Sequence, residues 1–167
     1  MSEQPRVGEG RVLSEAALVD QVAADRAAGL SFVFANGCFD VLHVGHVRYL
    51  TGAAVEGDRL IVAVNDDASV RGLKGPSRPV QAAGDRAALV AALRVVDYVV
   101  VFSDPDVERL LTLLKPEVHS KGSDYTVETV PERHVVQAYG GRTVIVGDNK
   151  DHSTRDVIAR ILAGEGV

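Results

Sequence analysis

Hydrophobic positions in this chain alternate between two patterns. After a polar start, Leu18, Val19, Val22 and Ala23 recur at helical spacing, with Ser14 as a cap and Gly29 as a stop, which predicts a helix over 14–28. A short apolar run over 31–35 reads as a strand, 45–55 as a helix, and 59–65 as a strand whose Leu60-Ile61-Val62-Ala63-Val64 core is apolar on both faces. The alternation continues: helix 84–94, strand 98–102, helix 106–114, a weaker strand 117–120, helix 131–139 ending at Gly140-Gly141, strand 143–146 and helix 153–162. About five strand–helix alternations predict an α/β, Rossmann-like doubly wound sandwich, with a five-stranded, mainly parallel sheet and helices on both faces. Residues 1–30 read as an extension with one helix, its apolar stripe packed on a single domain over 31–167.

In such sheets ligands bind beyond the carboxyl ends of the strands, where the strand order reverses. The chemistry is therefore expected in the loops 36–45, 65–79, 103–105, 121–125 and 147–153.

Composition narrows the classes of function. At 167 residues, with 46% hydrophobic and 25% charged, the chain suits one domain whose core needs no covalent staple. With 18 basic against 23 acidic residues, a net charge of −5 and no Trp, it lacks the basic footprint and stacking platforms of a nucleic-acid binder. No run approaches the ~20 apolar residues of a membrane span, and the first eleven residues carry no signal-like apolar stretch. The single cysteine, Cys38, excludes an intramolecular disulfide and a cysteine zinc framework, and suits a reducing cytoplasm.

The sharpest chemical signal follows the first predicted strand: Asn36-Gly37-Cys38-Phe39-Asp40-Val41-Leu42-His43-Val44-Gly45-His46. With a helix starting near Val44, His43 and His46 share one face at its amino end, beside free backbone N–H groups and the positive end of the helix dipole. Gly45 leaves the backbone open to a phosphate. Phosphoryl and nucleotidyl transfer depend mainly on positioning and charge stabilisation, so paired donors aimed at phosphate suffice as a catalytic core. Cys38 reads as a small turn residue, not a nucleophile. His119, His134 and His152 have no metal-ligand spacing and read as surface or packing residues.

The G-x-F-D-x-x-H-x-G-H run resembles the signature of the cytidylyltransferase-like nucleotidyltransferases. With Gly57-Asp58-Arg59 and the strand that follows, Leu73-Lys74-Gly75, Ser77-Arg78-Pro79-Val80, Val96-Asp97 and Lys121-Gly122-Ser123-Asp124-Tyr125, nearly the whole chain is similar to the adenylyltransferase part of ADP-heptose synthase. The resemblance implies that His43 and His46 bind the triphosphate and stabilise the transition state, and that Lys74 neutralises phosphate. Asn36, Gly37, Cys38, Phe39, Gly45, Lys121, Gly122, Asp124, Ser153 and Thr154 would contact the nucleotide. Asp40, Lys74, Arg78 and Arg86 would contact the acceptor, with Asp40 also able to reach Mg²⁺ brought by ATP or to act as a turn residue. The implied reaction moves AMP from ATP to a sugar 1-phosphate such as D-glycero-β-D-manno-heptose 1-phosphate. A homodimer and a separate sugar kinase upstream come with it.

The last motif departs from the family pattern. Relatives have S-T-T at the start of the final helix, whereas this chain has Ser153-Thr154-Arg155, and Asp148 stands where cytidylyltransferase relatives carry an arginine. Lys150 or Arg155 is left to supply that charge. Two alternatives stay open: cytidylyl transfer to glycerol 3-phosphate or a similar small phosphate, and a nucleotide-binding module without catalysis.

Overall fold

The continuous apolar runs become the middle of a sheet covered on both sides. The computed structural model describes residues 7–147 and 152–164. Six strands, β1 (Arg11–Val12), β2 (Phe32–Gly37), β3 (Arg59–Asn65), β4 (Tyr98–Phe102), β5 (Val118–Lys121) and β6 (Arg142–Ile145), form one sheet in the order β1-β4-β3-β2-β5-β6. Every pairing in it is parallel. Among the described residues, seven α-helices connect and cover it: α1 (Glu15–Ala27), α2 (Val44–Ala54), α3 (Asp67–Lys74), α4 (Ala83–Ala91), α5 (Glu108–Leu114), α6 (Arg133–Ala138) and α7 (Thr154–Ala163).

Side chains on successive strand positions point to opposite faces, so each central strand feeds two cores. Val33, Ala35, Leu60, Val62 and Val64 pack with Leu50 of α2 and Val90 of α4 on one face. Phe32, Phe34, Ile61 and Ala63 pack with Leu18 of α1, Leu110 and Leu111 of α5 and Val136 of α6 on the other. Burying a Leu, Val or Phe side chain completely contributes about 1.5–3 kcal/mol.

The sheet has one strand more than the five predicted. The sixth is β1, within the polar start, where Arg11 and Val12 lie beside Tyr98 and Val99. Gly8 allows this approach: its N–H bonds the Arg94 carbonyl at 2.6 Å, and a Cβ there would sit 2.1 Å from the Val96 oxygen. The predicted extension over 1–30 is thus woven into the fold, since β1 joins the sheet and Leu18 and Val22 are buried in its core. Helix α3 lies where a loop was expected. Asp66 caps it by accepting from the Ser69 N–H at 2.7 Å, and Val70 is its one buried side chain.

The chain runs from β2 to β3 and β4 on one side, then returns to place β5 on the other side of β2. The strand order therefore reverses between β2 and β5, and their carboxyl ends open into a crevice. No helix among the described residues is long and apolar enough to cross a membrane.

Candidate functional site

The turn after β2 is built under strain. Phe39 and Val41 both have positive φ, 47° and 58°, a conformation costing of order 1–3 kcal/mol per non-glycine residue and especially awkward for a β-branched side chain. Between them Asp40, 1% exposed, anchors the turn. Its carboxylate accepts from Arg78 Nε at 2.7 Å, the Val80 N–H at 2.9 Å and the Gln81 N–H at 3.0 Å, and the Thr154 hydroxyl donates to its backbone carbonyl at 2.9 Å. Burial opposes ionisation of Asp40, but the two amides and the guanidinium outweigh it and hold the carboxyl below its usual range. Arg86 braces the other side. Fully buried, it donates to the carbonyls of Gln81 at 2.9 Å and Cys38 at 2.6 Å and to Asp67 at 2.8 Å.

The turn delivers His43 to the N-cap of α2. Its Nδ1 accepts from the Gly45 N–H at 3.1 Å, while His46 Nδ1 accepts from the His43 N–H at 3.3 Å. The rings stack with centroids 3.8 Å apart. Each Nδ1 being an acceptor, the proton of each neutral imidazole sits on Nε2, which is left as a donor. Burial, then His43 and Lys74, push His46 down to about 4; burial and His152 lower His43 as well. Both rings are therefore neutral Nε2–H donors near pH 7. Gly45 also serves the turn itself: a Cβ there would lie 2.9 Å from the His43 ring, so the glycine makes room for the imidazole folded over the helix end.

These groups face a cavity of about 830 Å³ at the carboxyl ends of β2, β3 and β5. Every predicted site residue lines it except Arg86. Lys74, exposed in the last turn of α3, stands on one wall with Arg78, and the 121–125 loop forms another. There Lys121 is nearly buried, 3.5 Å from Glu132 and with its ammonium 5.3 Å from the Tyr125 ring centre. At the start of α7 the Ser153 hydroxyl caps the helix, accepting from the Asp156 N–H at 3.2 Å.

Four expectations are revised by this geometry. Arg86 is enclosed and cannot touch an acceptor; it positions the turn. Asp40 lines the cavity, but both its oxygens are already bonded, so it fits neither a metal ion nor an acceptor hydroxyl. No group of three or more His, Cys, Asp or Glu among the described residues could hold a metal. The Thr154 hydroxyl is committed to Asp40. His152, expected on the surface or in packing, lines the cavity and acts on His43. Arg155 also lines it, whereas Asp148 and Lys150 lie outside the described residues. Cys38 remains a thiol, its ionisation suppressed mainly by burial.

Arg48, Tyr49 and Asn65 join the walls unpredicted. Tyr49, buried enough to be pushed up to about 12, donates to the Ser120 carbonyl at 2.8 Å and ties α2 to β5. Its position three residues after His46, on the same helix face, was the available signal.

The cytidylyltransferase-like family pattern matches residues 34–161, from the middle of β2 into α7. The chain belongs to the cytidylyltransferase-like family. It is 48% identical over 153 residues to the bifunctional protein HldE of Ectopseudomonas mendocina and 45% identical over 159 residues to that of Geobacter sulfurreducens. These alignments cover 92% and 95% of this chain but 32% of either relative, so the chain spans about a third of their length. A lipopolysaccharide core biosynthesis protein from Thermoplasma volcanium superposes with a TM-score of 0.63 at 28% identity, covering 73% of this chain and all of that one. Family membership places both histidines, Lys74, Arg78 and the 121–125 loop inside the shared segment.

Proposed function

We propose that this chain transfers AMP from Mg·ATP to a sugar 1-phosphate, D-glycero-β-D-manno-heptose 1-phosphate, releasing ADP-heptose and pyrophosphate. The observation that carries the reading is the pair of Nε2–H donors on His43 and His46, facing one cavity with Lys74. An oxygen of the acceptor phosphate attacks the α-phosphorus in line, the bond from that phosphorus to the bridging oxygen breaks, and pyrophosphate leaves with the electron pair. His43 and His46 hydrogen-bond phosphate oxygens as charge builds, and Lys74 offsets the repulsion between two anions. Magnesium arrives as part of the nucleotide substrate.

The adenylyl and heptose assignments are supported by the similarity to HldE proteins over nearly the whole chain and by the structural likeness to a lipopolysaccharide core biosynthesis protein. An acceptor phosphorylated on its anomeric oxygen comes from a sugar kinase acting before this step. Ile161 and Leu162, 69% and 82% exposed at the end of α7, offer an apolar contact for a homodimer. The deciding experiment is a pyrophosphate-release screen crossing ATP, CTP, GTP and UTP with heptose 1-phosphates and polyol phosphates. Turnover is expected with ATP and the heptose 1-phosphate. A preference for CTP with glycerol 3-phosphate would overturn the acceptor and base, and turnover with no pair would leave a binding module.

A further inference from the structure

Beneath the cavity floor lies a histidine that the transfer chemistry does not use. His119, in the middle of β5, is fully buried against Phe34, with ring centroids 5.9 Å apart. Its Nε2 lies 3.2 Å from Oδ1 of Asn36, near the carboxyl end of β2, and Asn36 also lines the cavity. The contact spans β2 and β5, the two strands between which the sheet order reverses. Since a carboxamide oxygen can only accept, this geometry assigns the ring proton to Nε2. It also turns the Asn36 NH₂, with two donors, away from His119. The opposite arrangement would present a carbonyl oxygen to a site where His43, His46, Lys74 and Arg78 offer donors.

The other side of the ring supports this tautomer. Nδ1 of His119 and Oγ1 of Thr143 are both buried without a partner, and His119 and Thr143 are register neighbours on β5 and β6. Adjacent registered residues project from the same face of a sheet, so a change of the Thr143 χ1 rotamer is the move that would bring its hydroxyl towards Nδ1. That contact would satisfy one donor and one acceptor, each costly to bury alone. Burial, with Lys121 nearby, pushes His119 down to about 3, so the ring keeps a single proton throughout the neutral range.

We propose that His119 is a positioning residue, which through its bond to Asn36, backed by Thr143, holds the Asn36 carboxamide with its NH₂ turned into the cavity to donate to an oxygen of the bound nucleoside triphosphate. The proposal rests on the nucleotidyl-transfer reading for the identity of its ligand, but not on which acceptor is used.

The test is calorimetric binding of Mg·ATP and Mg·CTP to the full chain, without acceptor, alongside thermal melts. Asn36→Ala and His119→Leu are each expected to weaken the binding of the preferred nucleotide about tenfold. The double variant should bind no more weakly than Asn36→Ala alone, because both changes remove one interaction. His119→Gln, whose amide reaches the place of Nε2, should bind within about twofold of wild type, and Thr143→Val should show a smaller loss than His119→Leu. If His119→Leu does not fold, His119→Asn takes its place, since its amide matches the Nδ1 side and does not reach Asn36. Wild-type affinity in the variant lacking the donor, or losses that multiply in the double variant, would overturn the proposal. So would a lowered melting temperature without any change in affinity. Intact nucleotide binding with no turnover in the acceptor screen would sink the transferase reading and leave this inference standing, whereas failure of wild type to bind either nucleotide would end both.

Discussion

Both ends of the sheet are rich in charge and use it in opposite ways. At the amino ends of β3 and β4, Arg59 meets Asp25 at 3.3 Å, Asp97 at 3.2 Å and Glu9 at 3.2 Å. The Tyr98 hydroxyl donates to Asp25 at 2.6 Å and the Leu60 N–H to Asp97 at 2.8 Å, so the cluster closes on itself. At the carboxyl ends the buried polar groups, Asp40 and Arg86, are likewise paired, but a second tier above them points outward: two Nε2–H donors and Lys74 around an open cavity. Charge that finds its partners within the chain is architecture. Charge held rigidly with its donors left over is a site.

The largest effect is expected where architecture and site meet. Arg86→Met removes a buried guanidinium from two carbonyls and a carboxylate, and should lower unfolding free energy by about 3–5 kcal/mol in urea titrations. Unchanged stability with a raised KM for the acceptor alone would return Arg86 to the substrate side. Next comes His46→Ala, which should cut pyrophosphate release about a hundredfold or more while the fold persists, the usual effect of losing one such donor. Near-normal turnover would end the role given to the pair. At the other end, Arg59→Met should cost about 2 kcal/mol of stability, because it takes the cation away from the buried Asp97 carboxylate, with kcat/KM unchanged. A large loss of turnover there would erase the distinction between the two ends.

The same distinction explains what could be read from the residues in order. Strands 59–65 and 98–102 match their predicted bounds, because continuous apolar runs have no other stable home than the middle of a sheet. β1 escaped, being only two residues long and fixed by backbone contacts from Gly8 and Gly10 to the segment before β4. α3 escaped because it buries only Val70, although Asp66 followed by Ser69 offered a capping signal. In the site, the gathering of His43, His46 and Lys74 around one cavity was legible from the H-x-G-H spacing after a strand and, for Lys74, from the family resemblance. Asp40 and Arg86 were misassigned for one physical reason. A sequence displays a charge but not its partner, and Asp40 finds its partners 38 to 41 residues away at Arg78, Val80 and Gln81.

Acid provides the finest separation of the two ends. His46 titrates near 4 in the folded chain against about 6.5 when unfolded, so between those values the unfolded chain binds the extra proton. The depressed value therefore costs the fold nothing above pH 6.5 and becomes a growing penalty as pH falls towards 4. Asp25 behaves as a carboxylate. Burial opposes its ionisation, and bonds from Tyr98, Gln21 and Arg59 outweigh that, holding it below its usual range. Its contribution is present above about pH 3.9 and disappears only as pH falls through the lower folded value. Melts across pH should thus show the wild type losing ground to His46→Ala between pH 6.5 and 4, by on the order of 1 kcal/mol given how near solvent lies to the ring. Over the same window the gap between wild type and Arg59→Met should stay flat, narrowing only below about pH 4. If both gaps moved together, the two clusters would be coupled through the sheet, and the carboxyl end could not be treated as a site whose acid response is its own.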